Sequence, residues 1–197
     1  PMNNADVGEL GSNGHWYSAY MGYWPSDLEA AEEHFGTIAD LKDAVDAAHT
    51  QGIRVIVRFE PRDVHTSAQV HVDHPGWFTP ECICGVDCDW NVDGQVCWLA
   101  PFLPTFDLTV PDARDYVLDR AVDWLLQTGV DGLDVEAVGN IPPSFLTALR
   151  QRIAQDVEPI TGQHVFLSGE VFTSDPSMFV DPATLLDGTV MLPLRAA

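Results

Sequence analysis

The feature that most constrains this chain is an order of segments in which β-branched strands alternate with amphipathic helices. Thr37-Ile38-Ala39-Asp40 reads as a helix start of the capping-box kind, with Asp in place of the usual Glu or Gln. Ile38, Leu41, Val45 and Ala48 follow at helical spacing, and Gly52 closes the segment. IRVIVRF, Ile53 to Phe59, is a strand. A second helix begins at Pro111, with Val117, Leu118, Ala121, Val122 and Leu125 as its buried stripe, and ends at Gly129. The strand within GVDGLDVEAVGN follows, then a helix from about Ser144 to Val157, then strands in Val165 to Phe172 and Asp187 to Leu194. Repeated strand-then-helix units imply an α/β fold, a parallel sheet under helical cover. Residues 1–35, rich in Gly, Tyr and Trp, read as loop.

In such folds the groups that act sit at the carboxyl ends of the strands. On the first strand Ile53, Val55, Val57 and Phe59 share one face. Arg58, Glu60 and, if the chain stays extended, Arg62 share the other. Asp134, Glu136 and Glu170 fall at the ends of later strands. Paired carboxylates at an apolar strand end either perform chemistry or balance a nearby cation. A balancing cation would answer the cost of leaving a buried charge unpaired.

Thirty acidic residues against nine basic ones give a formal charge of −21. That field repels phosphate backbones and anionic lipid, so neither nucleic acid nor a membrane surface is an expected partner. No run of some 18 apolar residues is present, so no membrane span is expected. No basic leader precedes an apolar segment, so no signal peptide is read here. The chain opens on Pro1-Met2 and reads as an excerpt of a longer protein.

The span 63–108 is a long excursion containing all four cysteines, Cys82, Cys84, Cys88 and Cys97. A connection of this length is usually functional or a small subdomain. The clustered, even count favours two local disulfides, and with them an extracellular or periplasmic location, over a metal knot or free thiols. Asp89, Asn91 and Asp93 form the D-x-N-x-D-G start of a calcium loop. Ala100 at the twelfth position excludes an EF-hand, leaving a simpler Ca2+ turn or an Asx-rich hairpin; no other cofactor is implied. Trp77, Phe78, Trp90 and Trp98 are sugar-stacking surfaces or core, and His65, His71 and His74 read as surface histidines.

With these positions assembled, the chain resembles the α-amylase family of glycoside hydrolases, whose catalytic domain is a (β/α)8 barrel. YMGYWPSDLEAAEEHFGTIADLKDAVDAAHTQGIRVIV is similar to the family's second strand, second helix and third strand. CWLAPFLPTFDLTVPDARDYVLDRAVDWLLQTGVDG resembles its run into the fourth strand, FLSGEVF its fifth-strand motif and LLDGTVMLPLR its sixth. The resemblance implies a partial TIM barrel, about strands 2 to 6. Barrel parts would lie at 1–62 and 109–197, with the cysteine-containing insert at 63–108.

It also assigns roles. Glu170 falls on the general acid/base, and Glu136 stands where the family has a nucleophilic Asp. Met21, Tyr23, Trp24, Arg58, Asp63 and Asp134 fall at substrate-contacting positions. Met21 replaces a His, Arg58 an Asp, Arg62 and Asp63 an Asn-His pair, and Asp134 an Arg. Arg62 therefore stands where the family's calcium site draws on an Asn. Because Arg58 and Asp134 exchange the signs of an acid and a base that the family pairs on adjacent strands, the resemblance implies an ion pair between them; the alternative is that both face solvent. The resemblance implies a retaining hydrolase of α-glucans with an oligo- or polysaccharide partner, impaired by these replacements. A catalytically inactive sugar-binding or structural module is the alternative. A part-barrel also leaves sheet edges open to self-association.

Overall fold

One parallel sheet, its strands neighbouring one another in chain order, frames the site. In the computed structural model, residues 2–171 and 185–191 are described. The elements are β1 (Met2–Asn4), β2 (Gly8–Leu10), β3 (Trp16–Ser18), β4 (Pro25–Ala31), α1 (Ile38–Thr50), β5 (Ile56–Phe59), α2 (Gln69–Asp73) and α3 (Trp90–Asp93). There follow α4 (Pro111–Thr128), β6 (Gly132–Val135), α5 (Pro143–Asp156), α6 (Glu158–Thr161), β7 (Phe166–Val171) and β8 (Gly188–Met191). The expected ends of the last two strands, Phe172 and 192–194, lie outside the described residues.

Local chemistry explains the helices. The Thr37 hydroxyl accepts from the Asp40 N–H, and the Asp40 carboxylate accepts from the Thr37 N–H, so the capping box forms with Asp. Pro111 occupies the first turn of α4, where its missing N–H costs nothing. Gly129 ends α4 at φ 72°, a left-handed conformation that suits glycine. Val117, Leu118, Ala121, Val122 and Leu125 are all buried, as their spacing requires.

The sheet's two faces differ. Val57, Phe59, Leu133, Val135, Leu167 and Val171 point into the core, where α4 and α5 supply Leu118, Leu125, Phe145, Leu149 and Ile153. The other face is polar and opens toward solvent. Ile53 departs from the expected pattern: regular strand begins only at Ile56, and Ile53 precedes it in exposed chain.

Two expectations are corrected. Residues 1–35 are not mainly loop, for β1 pairs with β4 and β2 with β3 in two small antiparallel sheets. The parallel sheet also has four strands among the described residues, not five, because β4 joins β1 instead of β5. Asn4 fixes that choice: its side-chain oxygen accepts from Trp24 N at 2.7 Å, and Ala5 N donates to Trp24 O at 3.0 Å. The register slips twice along so short a pairing, which erases any period-2 signal.

Both disulfides form, Cys82–Cys88 and Cys84–Cys97. No helix among the described residues is long and apolar enough to cross a membrane.

Leu149 is fully buried between α5 and the sheet. Leu149→Ala should cost about 2–5 kcal/mol in chemical denaturation, because it removes apolar contact and leaves a cavity.

Candidate active site

Parallel register builds the site. Arg58 lies opposite Asp134, and Asp134 opposite Ser168, in one row across β5, β6 and β7. Two residues further, past the paired positions Phe59, Val135 and Gly169, come Glu60, Glu136 and Glu170. Side chains two apart share a face, so a row with one cation lies beneath a row of three carboxyls. Glu136 is anchored by its N–H, which donates to Phe59 O at 3.0 Å. Ala137 then turns the chain with φ 51°. That left-handed conformation costs a non-glycine residue on the order of 1 kcal/mol, and it occurs immediately after the site.

Arg58 organises the cluster. Its Nη2 donates to Asp134 Oδ2 at 2.9 Å, while Nη1 donates to Glu136 Oε2 and, at 3.2 Å, to Glu170 Oε2. Nη1 also lies 3.3 Å from the Tyr23 hydroxyl, and the guanidinium sits 5.9 Å from the Tyr23 ring centroid. Two hydrogens on Nη1 therefore face three acceptors. Ser168 Oγ donates to Asp134 Oδ1 at 2.7 Å, so both oxygens of Asp134 are partnered.

Because Glu136 and Glu170 touch one nitrogen, their nearest oxygens lie within two hydrogen-bond lengths, about 6 Å. One guanidinium cannot neutralise three carboxylates. Burial holds the Glu136 carboxyl above its usual range; Arg58 opposes this, and the charges of Glu170 and Asp134 reinforce it. Against the effect of burial, Glu136 and Asp134 hold Arg58 firmly protonated.

Other sequence-predicted residues lie elsewhere. Asp63 is only 2% exposed. Its Oδ2 accepts from Arg62 Nη1 at 2.7 Å and its Oδ1 from the Thr105 hydroxyl at 2.6 Å, so the carboxylate is turned into the protein and away from a sugar. The extended chain ends at Phe59. Arg62 consequently leaves the Arg58 face and is buried at 1% exposure, with Nη2 donating to Gly94 O and Cys97 O. Trp24, 7% exposed, packs on Phe102 at 4.6 Å between ring centroids and is core, not a stacking platform. Phe78 and Trp98 are likewise buried. Met21 is 71% exposed and Tyr23 partly so; of the two, Tyr23 reaches Arg58. His65 is buried, not superficial, with its ring nitrogens on Ser67 Oγ at 2.7 Å and Glu9 Oε1 at 3.1 Å.

The residues of the calcium reading serve local capping. Asp89 caps the single turn α3, accepting from Asn91 N at 2.8 Å, and Asp93 Oδ2 accepts from Asp89 N at 3.0 Å. Local capping thus accounts for the Asx pattern. Among the described residues no group of three His, Cys, Asp or Glu is placed to hold a metal. Near Arg62, the guanidinium itself occupies the Asp63 carboxylate and two loop carbonyls that a hard cation would need.

Sequence reasoning missed Ser168 and the burial of Glu60. Ser168 was discoverable as the residue two before Glu170 on an alternating strand.

No family model matches the chain. Curated relatives do match: α-amylase 1 of Schizosaccharomyces pombe is 24% identical over 99% of this chain and 31% of its own length. α-Amylase 3 of the same organism is 28% identical over 95% of this chain and 33% of its own length. The chain thus spans about a third of the length of these relatives. Among solved structures, an α-amylase from Geobacillus thermoleovorans, complexed with acarbose, superposes with a TM-score of 0.81 at 28% identity. That match covers 99% of this chain and 40% of the solved one.

The two arginines should respond differently to loss of a partner. Arg62→Leu strands the buried Asp63 and should cost about 3–5 kcal/mol in urea unfolding. Asp134→Asn, on the partly open face, should cost about 1 kcal/mol or less.

Proposed function

Since the chain is a partial member of the α-amylase family of glycoside hydrolases, we propose that it acts on α-glucans by hydrolysing the glycosidic bond. The observation that carries this reading is the convergence of Glu136 and Glu170 on one nitrogen of Arg58. Carboxyls about 5–5.5 Å apart serve retaining hydrolysis, whereas inverting enzymes need room for an intervening water. Glu136 then attacks the anomeric carbon while Glu170 protonates the leaving oxygen, and Glu170 next takes a proton from the water that releases the sugar. Tyr23, at the rim, offers the sugar an aromatic face. Asp134 acts on the substrate only through Arg58.

The same geometry accounts for reduced activity. Arg58 Nη1 occupies the gap between the two carboxyls, where the bond to be broken has to lie. Substrate must displace it from Glu136 and Glu170 while Nη2 stays on Asp134. In this reading β5 to β8 correspond to strands three to six of a (β/α)8 barrel, with β4 near the second. The partition into barrel parts at 1–62 and 109–197 and an insert at 63–108 follows from that correspondence. The β5 and β8 edges are then covered by further chain or by a second copy. The disulfides fit an extracellular or periplasmic setting.

Maltooligosaccharide hydrolysis followed by anomer-resolved NMR tests the proposal. Retained configuration is expected, with Glu170→Gln losing about 10²–10⁴ in kcat. The double variant Arg58→Asp, Asp134→Arg should raise kcat/KM by about ten- to a hundredfold, the worth of a charged hydrogen bond that no longer has to be broken. Inverted product, or hydrolysis indifferent to Glu170→Gln, would refute it.

A further inference from the structure

The lower row of the site has a member that the chemical step does not use. Register sets Arg58 of β5, Asp134 of β6 and Ser168 of β7 side by side, and carries the row on to Gly188 of β8. Gly188 brings no side chain, so within the row the Ser168 hydroxyl has Asp134 as its side-chain neighbour. It donates to Asp134 Oδ1 at 2.7 Å, while Asp134 Oδ2 accepts from Arg58 Nη2 at 2.9 Å. The two oxygens of one carboxylate are thus held from opposite sides, by β7 and by β5.

That double hold has a mechanical consequence. The terminal torsion of an aspartate is broad and soft, so a carboxylate bound at one oxygen can turn beneath its cation. Bound at Oδ1 by a hydroxyl on the neighbouring strand, Asp134 keeps its plane and presents Oδ2 to Arg58. A guanidinium is a rigid, planar fork, so the place of Nη2 fixes the place of Nη1. Nη1 is the nitrogen that donates to Glu136 and, at 3.2 Å, to Glu170. Hydrogen bonds therefore run unbroken from Ser168 through Asp134 and Arg58 to both acids.

We propose that Ser168 is a positioning residue: by pinning Asp134 it tethers Arg58 to the lower row and limits how deeply the guanidinium sits between Glu136 and Glu170. The assignment deepens the hydrolase reading, on which its functional meaning rests. In that reading substrate lifts Nη1 off the two acids while Nη2 stays on Asp134, and a pinned Asp134 keeps the pivot in place. An unpinned one lets the guanidinium follow the pull of Glu136 and Glu170 and settle further into the gap that the sugar must enter. Ser168 acts on the reaction only through Arg58, and its restraint on Arg58 is observable without activity.

Arginine-resolved 15N NMR of the full chain provides the test. The two Nη groups of Arg58 should exchange slowly in the native protein, because each is held by a carboxylate. Ser168→Ala should speed that exchange at least about fivefold, in line with the loss of one hydrogen bond. Ser168→Thr, which keeps a hydroxyl, should restore the slow rate. With maltooligosaccharides, Ser168→Ala should raise KM about five- to tenfold, and the loss should fall on KM more than on kcat, since the acids themselves are intact. Exchange that is already fast in the native protein, or that Ser168→Ala leaves unchanged, overturns the proposal. A loss that Ser168→Thr shares in full overturns it too, because the hydroxyl would then not be the cause. If exchange responds as expected while maltooligosaccharides stay intact, the hydrolase reading fails and the tether stands.

Discussion

The Arg58 guanidinium is the interaction on which the site depends. It bridges three strands at once, reaching Asp134 with one nitrogen and Glu136 and Glu170 with the other. Without that cation, three carboxyls would crowd one partly buried face, and like charges at this spacing repel strongly. The parallel register makes the bridge unavoidable: positions 58, 134 and 168 align, so the acids two residues further on converge above them. Fold and site are one construction in this sense. The helices α4 and α5 bury the apolar face, and the sheet is left to present its polar face outward.

A second guanidinium, this one buried, does structural work a few residues away. Arg62 fastens Asp63 and the carbonyls of Gly94 and Cys97, tying the end of the β5 loop to the disulfide-bearing excursion. Cys97 belongs to one of the two disulfides, so covalent and ionic ties meet at one point. The loop that frames the site is thereby fixed by a side chain that moves with the fold. Division of labour between the arginines leaves Glu60 between them, next to both clusters and ion-paired in neither among the described residues.

What the sequence disclosed follows from how local each cause is. Helix α4 was legible from Pro111 to Gly129 because its start, stripe and stop are written within the segment itself. The Arg58–Asp134 pair, which lies at 2.9 Å, was legible only through the resemblance, as an exchange of signs between an acid and a base on adjacent strands. Asp63 was misread because its fate turns on the bridge to Thr105, far along the chain. Asp89, Asn91 and Asp93 were ambiguous for a chemical reason: the same oxygens that suit calcium also cap a turn, and backbone N–H groups claim them first. The β1–β4 pairing was hidden by its slips of register.

The account reduces to one geometric claim, that Glu136 stands at attack distance from a sugar whose leaving oxygen meets Glu170. Mass spectrometry of the protein treated with a fluorinated α-glucosyl fluoride, followed by peptide mapping, measures it most directly. A single glycosyl adduct on Glu136 is the result the account requires. An adduct on another residue, or none with either the native protein or the variant exchanging the charges of Arg58 and Asp134, would contradict it.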